Sequence, residues 1–257
     1  MTEHRAWARR ANDLVEVNRD FYEALWRRSR LVGPRRFNTW PLVSSLLPSC
    51  RSRLEVAPGL RPRLPLEGTR FVDVSEAAVA KLGLVGADAR VGLVASLPFA
   101  DAEFDLVAAF DVIEHVDDDG SALSELARVA MPGATLLLSA PLHAARWTSF
   151  DALAGHRRRY EPAELVAKLR HHGWTVASSA SFGMQPRSSR LLDFGVWQLQ
   201  HRRDRAIWWY DRVMLPLAAI FQKRLKLTTG MMDADDVDEV LLVCRRDRPA
   251  VAAPLAG

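Results

Sequence analysis

From Arg53 onward the chain repeats one pattern: a short apolar run, a stretch with helical spacing, then another apolar run. The runs are Leu54–Val56, Phe71–Val74, Val91–Val94, Phe104–Phe110, Ala134–Ser139, Trp174–Ala177 and Glu239–Cys244. Such runs are too short for buried helices and read as strands. Strands that alternate with helices build a mainly parallel sheet covered on both faces. The intervening signals agree. Ser75 caps a helix over Glu76–Leu82 with an acidic residue in its first turn, and a second helix covers Ser121–Val129. Pro132-Gly133 turns into the fifth strand, and Glu161-Pro162 opens a helix over Ala163–His171. In a sheet of this kind ligands bind beyond the carboxyl ends of the strands, which points to the residues after Val56, Val72, Leu93 and Phe110.

Two regions lie outside the alternation. Residues 5–30 carry Trp7, Leu14, Val15, Phe21, Tyr22, Leu25 and Trp26 at near-helical spacing, and Gly33-Pro34 ends that helix. A shorter helical or irregular piece, Phe37–Leu47, closes at Pro48. Residues 1–50 therefore form an N-terminal helical segment ahead of a domain over 51–257. The second region separates the last two strands: roughly sixty residues, Ser178–Asp236, too long for a structureless loop. Helices are expected over Ser188–Gln200 and Arg205–Phe221, the second bent near Pro216. This insertion, 179–236, carries Trp197, Trp208, Trp209 and Tyr210. Its aromatics either pack on the sheet edge or cap an acceptor pocket. The apolar run Val213–Phe221, followed by Lys223, Arg224 and Lys226, has the basic amphipathic pattern of peripheral membrane contact.

Composition removes several classes. Hydrophobic residues make up 49% of the chain, enough for a core and unlike a disordered chain. Two cysteines, Cys50 and Cys244, make neither a disulfide framework nor a zinc site, which fits a reducing cytoplasm. Met1–Arg10 lacks the apolar centre of a signal peptide, and no apolar run is long enough to span a bilayer. The net charge of +4 comes from scattered arginines without an aromatic-interleaved basic stripe, so nucleic acid is not an expected partner. No metal ligands are assigned, and oligomeric state is left open.

Four pieces fall at the strand ends in order. Leu54-Glu55-Val56-Ala57-Pro58-Gly59 places an acid before a small-residue turn that a ligand can approach closely. Asp73 ends the second strand, where a carboxylate can accept both hydroxyls of a ribose. Leu97-Pro98-Phe99 turns toward the fourth strand, and Asp111-Val112-Ile113-Glu114-His115-Val116 follows it. Together these resemble the class I S-adenosylmethionine-dependent methyltransferases, in particular the small-molecule group with a Leu-Pro-Phe turn and a Glu-His pair. The resemblance implies a Rossmann-like, seven-stranded, mostly parallel sheet whose last strand is antiparallel.

It also implies S-adenosylmethionine as cofactor and a small-molecule acceptor. The turn Glu55, Ala57, Pro58 and Gly59 would cradle the methionine part; Asp73 with Val74 would hold the ribose. Val94 and Ala95 would flank the adenine, and Phe110, Asp111, Val112 and His115 would line the wall beside the sulfonium. Glu55 has a second reading, as a buttress of the turn through backbone hydrogen bonds. The chain departs from the family pattern where Ala57 and Arg61 replace glycines and where the prolines of Leu60–Pro65 stop a helix from following. Arg61 or Arg63 would then supply positive charge to the cofactor carboxylate.

Methyl transfer depends mainly on in-line positioning, and a base is needed only when the nucleophile arrives protonated. Gly155–Tyr160 contains His156, the candidate base, with His143 earlier in the same connection. The alternative is that His156 and Tyr160 only organise the loop. Two other readings remain: a nicotinamide dehydrogenase, which wants a fuller glycine fingerprint, and a degenerate fold of this family serving as a non-catalytic partner.

Overall fold

The structure is a computed structural model and describes residues 22–183, 189–217 and 222–248. Strands β1 (Arg53–Val56), β2 (Thr69–Asp73), β3 (Asp88–Val91), β4 (Phe104–Phe110), β5 (Ala130–Pro141), β6 (Trp174–Ser181), β7 (Thr228–Thr229) and β8 (Glu239–Arg246) form one sheet in the order 3-2-1-4-5-8-6-7. Strands β1 to β5 pair in parallel; β8 enters antiparallel between β5 and β6. The result is the Rossmann-like α/β class expected, with eight strands rather than seven. The extra strand is two threonines pairing with Ser178 and Ser179 of β6, too short to leave an apolar run.

Other boundaries moved for physical reasons. The third strand was expected at Val91–Val94 and lies at Asp88–Val91. It is a mostly exposed edge strand, so apolar content does not mark it. Strand β5 begins at Ala130, and the expected turn at Pro132-Gly133 is absorbed into it with Gly133 at φ +82°.

The helices follow their caps. Residues 22–28 form α1, α2 spans Trp40–Leu46, and α3 spans Glu76–Leu84, with Ser75 Oγ accepting from Ala78 N at 3.2 Å. Asp118 caps α4 (Asp119–Val129), two residues before the expected start. An unanticipated α5 (Ser149–Ala154) starts from a Thr148–Asp151 capping box. α6 spans Pro162–His171.

In the insertion, α7 runs Ser189–His201 and α8 runs Arg203–Trp209. The second helix does not continue as one regular helix. Pro216 has no N–H for the Arg212 carbonyl, and the chain widens into a π turn over Tyr210–Met214 just before it. Residues 5–21 of the expected first helix, Ser188 and Phe221 lie outside the described residues.

Side chains alternate to the two faces of the sheet, as the strand period requires. Val107, Leu136 and Leu138 pack with Leu123 and Leu126 of α4 and Leu165 of α6. Leu106, Leu137 and Val243 meet Val43 of α2. Trp26 of α1, Phe71 and Leu82 form a third cluster over β2. The packing brings the carboxyl ends of β1, β2, β4 and β5 to one edge.

Candidate functional site

At that edge the turn after β1 is held open by its own backbone. Ala57 and Gly59 both have φ of +53°, a left-handed conformation that glycine adopts freely and alanine does not. No helix follows, as the prolines dictate. The buried Glu55 carboxylate instead accepts the amides of Arg63 (2.9 and 3.0 Å) and Leu64 (2.8 Å). Glu55 is thus a buttress of the turn. Burial raises its pKa to about 7, against the pull of those amides.

Asp73 links the first two strand ends. One of its oxygens accepts from Gly59 N at 2.8 Å, the other from Ser75 N at 2.8 Å. Burial lifts its pKa to about 6. Val74 follows it, Val94 is buried beyond β3, and Ala95 is exposed beside it. After β4 the chain turns sharply: Asp111 has φ +53° and its amide and carboxylate both bond to Ser139. Val112 and Glu114 are buried, and Phe110 is half-buried.

The far side of the edge is built from charges. His156 Nδ1 lies 2.8 Å from Asp151 Oδ1, and Arg159 reaches both oxygens of that fully buried carboxylate at 3.0 and 2.9 Å. These bonds hold the Asp151 carboxyl well below the usual range despite burial. The His156 ring meets His115 edge-on at 4.6 Å, so the structure brings these two expected residues together. Tyr160 is buried, with its hydroxyl donating to Asp119 at 2.9 Å, and braces the loop. His143 turns away, its Nε2 at 2.8 Å from the Ala234 carbonyl.

Several residues at the edge were not singled out. The Tyr22 hydroxyl reaches 3.5 Å from His115 Nε2. Burial and the charges of Glu114, Asp111 and Asp73 raise its pKa far above the ordinary phenol value. The Trp26 indole lies so close over Gly59 that a Cβ there would overlap it. Glu239 lies half-buried beside Asp111, and desolvation followed by that neighbouring charge pushes its pKa well up. Helical spacing flagged Tyr22 and Trp26 only as apolar-face residues, and nothing near Glu239 in sequence marks it.

The two arginines took different places. Arg61 pairs with Asp211 at 3.2 Å, donates to the Tyr210 hydroxyl and stacks on Trp26, tying the insertion to the β1 turn. Arg63 lies 3.7 Å over the Phe37 ring, near Phe110 and Phe182. A cleft lined by Arg51, Arg53 and Gly68 opens by the amino ends of β1 and β2, away from this constellation.

Residues 67–138 match a family model described as a methyltransferase domain, a span that contains Asp73, Asp111 and His115. Over these residues the chain is similar to a methyltransferase domain. It is 36% identical over 111 residues to a protein of Mycolicibacterium smegmatis described as a probable S-adenosylmethionine-dependent methyltransferase. That match takes in 41% of this chain and 42% of the relative, so the chain spans well under two thirds of it. Among solved structures, a Haemonchus contortus phosphoethanolamine N-methyltransferase is similar with a TM-score of 0.54 and 16% identity. The likeness covers 90% of this chain and 58% of the nematode protein, whose structure holds phosphomonomethylethanolamine and S-adenosylhomocysteine. The cyclase SpnF matches with a TM-score of 0.51 and 19% identity, over 81% of each chain. At these identities the structural likenesses establish the fold alone and leave the reaction to the site.

Proposed function

We propose that the protein transfers a methyl group from S-adenosylmethionine to an oxygen, nitrogen or carbon of a small, apolar or aromatic acceptor. One observation carries this: the Asp73 carboxylate, bonded to Gly59 N, joins the β1 turn to the end of β2, with Asp111–His115 on the same edge. The residues fit the cofactor. Each Asp73 oxygen accepts one described backbone amide, and its remaining lone pair suits a ribose hydroxyl. Gly59 carries no side chain, and the room this leaves is filled by the Trp26 indole. Bound S-adenosylmethionine supplies a methyl group on a positively charged sulfonium, a good leaving group.

The chain does the rest by positioning. Glu55 fixes the turn of Ala57, Pro58 and Gly59 against the methionine part. Asp73 and Val74 hold the ribose, Val94 and Ala95 flank the adenine, and Phe110, Asp111, Val112 and His115 form the wall beside the sulfonium. With the cofactor bound, His156 would be placed to take the proton of a hydroxyl or amine acceptor. Asp151 then stabilises the imidazolium.

The insertion 179–236 is the cap of this pocket, within a domain over 51–257 that follows the helical segment 1–50. It reaches the edge through Arg61–Asp211, Arg28–Asp204 and Ser149–Asp193. Exposed Phe194, Trp197, Trp208, Trp209 and Met214 suit a lipid-like acceptor and contact with a membrane surface. Among the described residues no helix is long and apolar enough to cross a membrane. Two buried free thiols, Cys50 and Cys244, accord with a cytoplasmic site of action.

Calorimetric titration with S-adenosylhomocysteine, followed by turnover of His156→Ala, tests the reading. Binding should persist in the variant while turnover falls by about 10²–10⁴-fold. A second reading, a non-catalytic protein of this fold, is favoured by the missing helix after Gly59, which removes an anion-binding helix terminus. Absence of S-adenosylhomocysteine binding at high micromolar concentration selects it.

A further inference from the structure

We infer that Glu114, His115 and His156 bind a divalent transition-metal ion. Glu114 sits in the short 3-10 turn after β4, fully buried, and among the described residues neither carboxylate oxygen has a hydrogen-bonded partner. A buried carboxylate in that state is costly unless something positive meets it. Two histidines, His115 and His156, stand where they could share a ligand with it. One donor atom from each of the three residues lies within 4.8 Å of the others.

The surroundings resemble a prepared metal shell. His156 Nδ1 is engaged by Asp151, which leaves Nε2 for the ion, and Asp151 is itself locked by Arg159 and Thr148. Metal-bound histidines characteristically place their other ring nitrogen on such a carboxylate. Two imidazoles with one carboxylate favour Mn²⁺, Fe²⁺, Co²⁺ or Zn²⁺ over Mg²⁺ and Ca²⁺, which prefer oxygen. Ligand bonds of about 2.0–2.2 Å require the three donors to draw together by roughly an ångström. His115 keeps its contacts with Tyr22 and His156, so the ion would stand on the wall of the proposed cofactor cradle.

Binding of the ion does not depend on the proposed function; its consequence does. An acceptor hydroxyl held by the ion would lose its proton to water before attack, and His156 would then act through the metal rather than as the base. The proposal thus selects acceptors with an oxygen donor.

The full chain, stripped of metal on a chelating resin, is titrated with Zn²⁺ by calorimetry and with Co²⁺ by visible absorption. One ion per chain is expected. Glu114→Gln and His156→Gln should each weaken it by about tenfold or more, while His172→Gln, at the carboxyl end of α6 beside Ser124, leaves it unchanged. Should Glu114→Gln fail to fold, His156→Gln carries the test, with its metal-free melting temperature checked against the wild type. Absence of binding at millimolar ion, or wild-type affinity in a folded His156→Gln, overturns the proposal. Parallel titration with S-adenosylhomocysteine separates this outcome from failure of the cofactor reading.

Discussion

The two sides of the functional edge are organised by different physics. After β1 and β2 the chain is shaped by backbone amides pointing into two buried carboxylates, Glu55 and Asp73, with an indole laid over the turn. After β4 and β5 it is shaped by full charges, with Asp151 clamped between Arg159 and His156. Amide-to-carboxylate bonds tolerate protonation, because a carboxyl group still accepts from N–H donors. A buried ion pair does not tolerate the loss of a partner, because the charge left behind has no water to turn to. The first side should therefore respond to pH and to ligand, and the second to substitution.

The largest effect is expected on the charged side. Asp151→Ala strands a buried guanidinium and should lower stability by about 3–5 kcal/mol, read as a shift of the urea midpoint. A loss no greater than that of an exposed pair would erase the contrast.

The next effect sharpens the other side. The Glu55 carboxyl, raised from 4.5 to about 7, holds its proton in the folded state after the unfolded chain has released it. The stabilisation is complete below pH about 4.5 and is lost as pH rises toward 7, at most about 3 kcal/mol from this group. Asp73 acts in the same direction between its ordinary 3.8 and about 6. Melting temperature should fall across this window, and Glu55→Gln should flatten most of the slope. A wild-type melting temperature that rises from pH 5 to 7 would count against the assignment.

Third comes ligand binding. Asp73→Asn keeps an acceptor for Gly59 N but loses the charge; the variant should bind S-adenosylmethionine more weakly by about 1.5–3 kcal/mol, one to two orders of magnitude by titration. Unchanged affinity removes Asp73 from the site. The smallest effect belongs to Ala57→Gly. Relief of the left-handed alanine is offset by greater freedom of the unfolded chain, and stability should change by less than about 1 kcal/mol, measured by thermal melt.

How far the sequence could be read follows the same division. β4 is legible to the residue, because a strand buried on both faces is largely apolar, and here every residue but Asp105 is. Glu55, Asp73 and Asp111 stand at the edge where strand ends placed them. β3 and β7 escape because edge strands bury little. Tyr22 and Trp26 escape because only tertiary packing folds α1 back over Gly59, and Glu239 because a long insertion separates it from Asp111. His156 could be named, but its proximity to His115 and Glu114 depends on the unanticipated α5, whose capping residue Asp151 sets the ring.

The placement of β8 between β5 and β6 bears on how the molecule is made. The pairing that joins β6 and β7 to β1–β5 passes through β8, a strand made well after β6. During translation β1 to β5 can assemble by local crossovers, while the flank of β5 stays an open, apolar edge until Glu239–Arg246 emerge. Long-range closure of this kind is slow and leaves edges exposed to aggregation. The rate of refolding should accordingly be governed by insertion of this strand, and truncations that remove it should yield a chain that aggregates rather than a smaller folded domain.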